Sequence, residues 1–148
     1  MTEQMTTTPQ GAAEPAGTPL LGAITHVALT VRDLGVSVPW YRALIGAEPV
    51  LDEDAGGFRH VVFALGGTLL GLHHFPEGIE DQAHSPRRPG LDHVAFAVAE
   101  RRELDDWARR LESMGIQHGG IVEAHYGSGL SFKDPDGLPL EIFAPPAE

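Results

Sequence analysis

HVALTV starts at His26 and HVAFAV at His93, 67 residues apart, and the same spacing joins Trp40 to Trp107, Arg42 to Arg109 and Leu44 to Leu111. The chain has only two tryptophans, so their agreement in register is hard to ascribe to composition. Self-similarity of this kind limits the fold before any single element is assigned. Two copies are too few for a solenoid. Within 148 residues they specify one domain built from two like halves.

Each half reads in the same order. Ile24–Val31 and Leu91–Val98 are β-branched and apolar, and read as strands. A helix follows in both. In the second half Leu104, Trp107, Ala108 and Leu111 recur at i, i+3, i+4 and i+7, a core-facing stripe closed by Gly115. In the first half Ser37 is placed to cap, Pro39 falls in the first turn, and Trp40, Leu44 and Gly46 complete the helix. Three shorter strands are expected next, at about 48–51, 59–65 and 68–75, and again at 117–122, 129–133 and 138–143. Gly66-Gly67 and Asp134-Pro135-Asp136-Gly137 are strong hairpin turns. The expected fold is therefore α+β, βαβββ twice, with module one over about 24–76, module two over about 91–145, and the proline-bearing segment 77–90 between them. The Thr-, Pro- and Gly-rich stretch Met1–Leu20 reads as a disordered tail ahead of a single domain over 21–148.

Alternation along the strands sorts the side chains into two faces. Val27, Leu29 and Val31 share one face, and His26, Ala28 and Thr30 the other. Val94, Phe96 and Val98 oppose His93, Ala95 and Ala97 in the same way. The bulky faces suit the helices, and the small ones leave room for a cavity with a histidine at its edge. In the last strand Glu141 falls opposite Leu138, Leu140 and Ile142. A carboxylate on a sheet face is rarely buried unless paired or bound to a metal. The chain has eight histidines and no cysteine, so thiolate sites and disulfides are excluded and a histidine/carboxylate site is not. His26, His93 and Glu141 form a donor set suited to Fe(II), Mn(II), Ni(II), Co(II) or Zn(II) with positions left open for substrate. His60, His125 and Tyr126 lie on or beside expected strands and are candidates to line a substrate pocket. His84 and His118 read as loop residues, and Arg101, Arg102, Arg109 and Arg110 as a solvated helix face.

THVALTVRDL with WYRALIGAEPV, then GLDHVAFAV, then FKDPDGLPLEIF, resemble in order and spacing the vicinal oxygen chelate superfamily. That superfamily includes glyoxalase I, extradiol dioxygenases, fosfomycin-resistance thiol transferases and bleomycin-resistance proteins. The resemblance covers about Ile24 to Pro145. It implies two βαβββ modules whose mixed sheets curl around a cavity, with a metal ligand on the first and last strands of each module. Carried over by motif, these are His26, His93 and Glu141. The fourth position stays open in TLLGLHHF. Alternation offers His73, with His74 as the lesser option. Alignment of the turns puts Gly71 opposite Glu141 and leaves three ligands. No carboxylate lies between Thr68 and Phe75, which disfavours glyoxalase I chemistry.

The resemblance implies a divalent-metal-dependent enzyme of dioxygenase, lyase or isomerase type, acting on a small substrate with vicinal oxygens. The rival is a metal-free drug-sequestering protein of the bleomycin-resistance kind. It also implies a homodimer, with modules pairing either within or between chains. A formal charge of −11 disfavours nucleic acid as a partner. No membrane-length apolar run or basic secretory leader is visible, so a cytoplasmic protein is expected.

Overall fold

A computed structural model describes residues 17–148. The expected disordered tail therefore lies, for residues 1–16, outside the described residues. The module order is as the repeat requires: β1 (His26–Thr30), α1 (Leu34–Ile45), β2 (Leu51–Asp54), β3 (Arg59–Leu65) and β4 (Thr68–His74), then β5 (Val94–Ala97), α2 (Glu103–Ser113), β6 (His118–Ala124), β7 (Gly127–Lys133) and β8 (Pro139–Ala144). Each module forms one four-stranded mixed sheet, in the order β1-β4-β3-β2 or β5-β8-β7-β6. β1 runs parallel to β4, and β5 to β8; the other neighbours are antiparallel.

The first helix starts earlier than the sequence suggests. Asp33, not Ser37, is its N-cap, with Oδ1 accepting from Gly35 N at 2.8 Å. A start at Leu34 brings Leu34, Val38 and Tyr41 onto the core stripe and buries Ser37 inside the helix. Pro39 then falls in the second turn rather than the first. Gly46 closes the helix in the left-handed region, at φ 76°. β2 is likewise displaced from 48–51 to Leu51–Asp54, where Arg59 bonds Asp52 and His60 bonds Glu53 across the strand pair. His118 begins β6 instead of lying in a loop. Its Nε2–H donates to Glu112 at 3.0 Å and its Nδ1 accepts from Gly120 N. Of the four arginines read as a solvated face, two bond outside their own segment: Arg101 donates to Glu123 of β6 at 2.7 Å and Arg110 to the Ala43 carbonyl of α1 at 2.8 Å.

The bulky strand faces meet in one core. Leu29, Val61, Phe63, Leu70 and Leu72 of the first sheet and Leu130, Leu140 and Ile142 of the second are almost fully buried, with Tyr41, Leu104 and Leu111 from the helices. Trp40 and Trp107 pack at its margin. α1 ties the modules together. The Trp40 ring lies 6.3 Å from that of Phe132, and the Tyr41 hydroxyl donates to Asp134 Oδ2 at 2.7 Å in a buried site. Arg32 fastens the connecting segment by bonding Asp81, the Gln82 carbonyl and Asp136 of the β7–β8 turn. The opposite faces of both sheets carry His26, Ala28 and Thr30, and Ala95 and Ala97, all exposed. They are the small-residue faces that alternation in the sequence predicts.

Candidate metal centre

The second sheet brings two of the expected donors together. His93 immediately precedes β5, and Ala95 pairs with Glu141 on β8, so imidazole and carboxylate project from neighbouring strands on one face. His93 Nε2 and Glu141 Oε2 are 3.6 Å apart. Glu141 lies flat over β7. A Cβ built at Gly129 would meet Glu141 Oε1 at 2.5 Å and its carboxyl carbon at 3.0 Å. Only glycine at 129 lets the carboxylate reach that place, a close approach the sequence does not reveal. One nitrogen and one carboxylate oxygen at this separation, with no Lys or Arg bonded to either among the described residues, are a fitting pair of donors for a first-row divalent ion.

His26 opens β1 on the corresponding face of the first sheet, its Nδ1 2.9 Å from Thr25 Oγ1. It does not join the other two. Among the described residues of the single chain no group of three His, Asp or Glu side chains is close enough to share a metal.

Strand register decides which residue of β4 stands where Glu141 does on β8. Ala28 pairs with Gly71, and its repeat counterpart Ala95 pairs with Glu141. Gly71 therefore occupies the carboxylate's rung. His73 pairs with Thr30, the rung that Phe143 holds beside Ala97. Its ring stacks on Phe58 at 4.8 Å and meets His60 edge-on at 5.5 Å, and Phe75 lies 5.3 Å from Phe58. Burial, and then the His60 and His26 imidazoles, hold His73 below the usual histidine range. His74 turns to the other side and its Nδ1–H donates to the Val31 carbonyl at 3.3 Å. On the second sheet His125 and Tyr126 form the β6–β7 turn, and the exposed Tyr126 ring stacks 6.3 Å from Phe143. Each open face thus has an aromatic wall: Phe58, His60 and His73 on one, Tyr126 and Phe143 on the other. The sequence does not single out Phe58, because only its stack on His73 marks it.

The model for the glyoxalase/bleomycin resistance protein/dioxygenase superfamily matches residues 23–142. The chain belongs to that superfamily. It is 26% identical over 125 residues to metallothiol transferase FosB of Staphylococcus saprophyticus, covering 83% of this chain and 77% of that one. It is 29% identical over 135 residues to biphenyl-2,3-diol 1,2-dioxygenase 3 of Rhodococcus globerulus, covering 84% of this chain and 66% of the other. The crystal structure of a glyoxylase/bleomycin resistance protein/dioxygenase domain from Frankia superposes with a TM-score of 0.76 at 29% identity, covering 85% of this chain and 99% of that one. The superfamily's fold is the one that the repeat implies, and its named relatives include enzymes, one a thiol transferase and one a dioxygenase. None of the described helices is long and apolar enough to cross a membrane.

The Gly129 cradle gives a direct expectation. Gly129→Ala displaces the Glu141 carboxylate, the mobile end of its side chain, at little cost to the fold. We expect metal affinity to fall by about tenfold or more with a thermal midpoint within a few degrees of the parent. Titration with Co(II) followed by its visible absorption, beside a thermal melt, checks this. An unchanged affinity contradicts the cradle.

Proposed function

We propose that this protein is a metal-dependent enzyme acting on a small substrate with vicinal oxygens, and that two copies complete its site. His26 of one copy would join His93 and Glu141 of the other around a divalent Fe, Mn, Ni, Co or Zn ion. The observation that carries this reading is the separation of the donors: His93 and Glu141 sit 3.6 Å apart while His26 is held on another sheet of the same chain. Two further features support a second copy. β1 and β5 are edge strands of separate sheets, each with an unpaired row of backbone groups. Between those edges runs a groove of about 750 Å³ that includes Val27, Leu65, Leu69, Leu91, His93 and Phe96. Ile24, Leu69 and Leu91 leave 70%, 40% and 46% of their surface exposed there, more apolar area than a solvated groove needs.

Three protein donors leave coordination positions free, and the bound ion would supply Lewis acidity toward the substrate's oxygens. The glycine at 71 takes the place of a fourth donor, which favours dioxygenase- or thiol-transferase-type chemistry over that of glyoxalase I. The chain's own contribution is orientation and exclusion of water. The Phe58–His73 stack and the Tyr126–Phe143 stack would flank the reacting atoms, and a His73 held largely neutral can accept a hydrogen bond from a substrate hydroxyl.

The test is a thermal-shift titration of tag-free, chelator-stripped protein with each of the five ions. A rise in midpoint reversed by EDTA supports the reading. A chain that no ion stabilises, yet which small organic ligands stabilise regardless of chelator, overturns it in favour of a metal-free binding protein.

A further inference from the structure

The two histidines share more than a place on their strands. In each module the residue just before the histidine reaches its Nδ1: Asp92 Oδ1 lies 2.7 Å from His93 Nδ1, and Thr25 Oγ1 lies 2.9 Å from His26 Nδ1. Thr25 and Asp92 are themselves one repeat apart. Adjacent residues inside a strand point to opposite faces and do not touch. The contact exists because each pair sits where the chain joins its strand, before regular pleating begins.

We propose that Asp92 is a positioning residue that presets His93 as a metal ligand, an inference that rests on the metal-dependent reading above. An ionised carboxylate only accepts hydrogen bonds, so the bond of 2.7 Å requires the proton on Nδ1. The lone pair is then on Nε2, the atom that faces Glu141 across 3.6 Å. In free histidine the Nε2–H form is the ordinary one, so the aspartate reverses the choice. Thr25 does not impose it, since a hydroxyl both donates and accepts. His93 is therefore fixed before metal arrives, and His26 takes up its tautomer when the site forms. Asp92 and His93 are both exposed, with side chains 64% and 46% accessible. A pair so placed adds little to stability, which separates its positioning role from a structural one.

Two measurements on the full chain test this. In long-range ¹H–¹⁵N correlation spectra of the metal-free protein, above the titration range of imidazole, His93 is expected as the Nδ1–H tautomer. Asp92→Ala is expected to shift it to mainly Nε2–H without changing the thermal midpoint by more than a few degrees. In a Co(II) titration the same variant is expected to bind about 10–100-fold more weakly, the usual effect of losing a ligand's outer partner. A His93 tautomer that is Nε2–H in the parent, or unchanged in Asp92→Ala, overturns the proposal, as does unchanged Co(II) affinity in that variant when His93→Ala abolishes binding. If His93→Ala and Glu141→Ala leave Co(II) binding intact, it is the metal site that fails, while the tautomer still decides the part played by Asp92.

Discussion

Asp134→Ala is expected to cost more stability than truncation of Ser37 or Ser128, the other buried polar side chains among the described residues. Asp134 is 6% exposed and satisfies three donors at once: its Oδ2 accepts from the Tyr41 hydroxyl at 2.7 Å, and its Oδ1 accepts from Asp136 N and Leu138 N at 2.9 Å each. Truncation strands the buried Tyr41 hydroxyl, leaves two half-buried backbone donors without their partner, and unpins α1 from the β7–β8 turn. At about 1 kcal/mol or more for each orphaned donor, the loss is about 3 kcal/mol, or a midpoint drop on the order of 10 °C. Tyr41→Phe removes one bond and is expected to cost about half as much. Asp134→Asn keeps the shape, accepts the two backbone bonds and offers its amide to the tyrosine oxygen, so it is the mildest of the three.

The same residue gives stability a pH dependence of known sign. Burial raises the Asp134 carboxyl above its ordinary value of 3.8, against the opposing bonds from Tyr41, Leu138 and Asp136. Folded protein therefore holds that proton more tightly than unfolded protein. The stability this contributes is fully present below the unfolded value and is lost as pH rises through the folded one. Asparagine does not titrate. Melts of the parent and of Asp134→Asn from pH 7 down to pH 4 are expected to show the difference moving in the parent's favour as pH falls; a constant difference contradicts the assignment.

The second large effect concerns function. His93→Ala, Glu141→Ala and His26→Ala are each expected to weaken Co(II) or Zn(II) binding by more than the ~10–100-fold that loss of an outer partner costs. Their midpoints without metal should stay near the parent's, because His26 is exposed and none of the three belongs to the core. His73→Ala is expected to stay within a few-fold of the parent in metal affinity and to lose substrate affinity instead, since its rung is that of Phe143 and its ring belongs to the Phe58 stack. Equal losses of metal affinity in His73→Ala and Glu141→Ala would instead make His73 a fourth ligand.

How far the sequence carries can be read from these residues. A repeat at fixed spacing gives the module order, and alternation gives the faces, which is why His93 and Glu141 are legible as donors on one face. Alternation assigns a face and not a distance, so it cannot say that His26 stands apart. Alignment of the turns sets Gly71 opposite Glu141 while alternation offers His73, and the pairing register decides for Gly71, the spacing between modules growing from 67 at Ala28 and Ala95 to 70 at Gly71 and Glu141. The Tyr41–Asp134 bond joins residues 93 positions apart, and neither position has a pattern that names the other. By sequence Gly129 is like any strand glycine, and only the carboxylate of Glu141 above it sets it apart. The cap of α1 is misread from sequence because two capping residues, Asp33 and Ser37, stand one turn apart, and only core packing of Leu34 and Val38 chooses between them.

The composite site is tested most directly by mixing two crippled proteins. His26→Ala and His93→Ala, purified apart, should each bind Co(II) weakly. If the site is shared between copies, mixed dimers formed after confirmed subunit exchange regain one intact site, assembled from His26 of the His93→Ala copy with His93 and Glu141 of the His26→Ala copy, and tight Co(II) binding reappears at about a quarter of the parent's capacity for an equal mixture. No recovery, in a sample where mass spectrometry shows the mixed dimer, would contradict it.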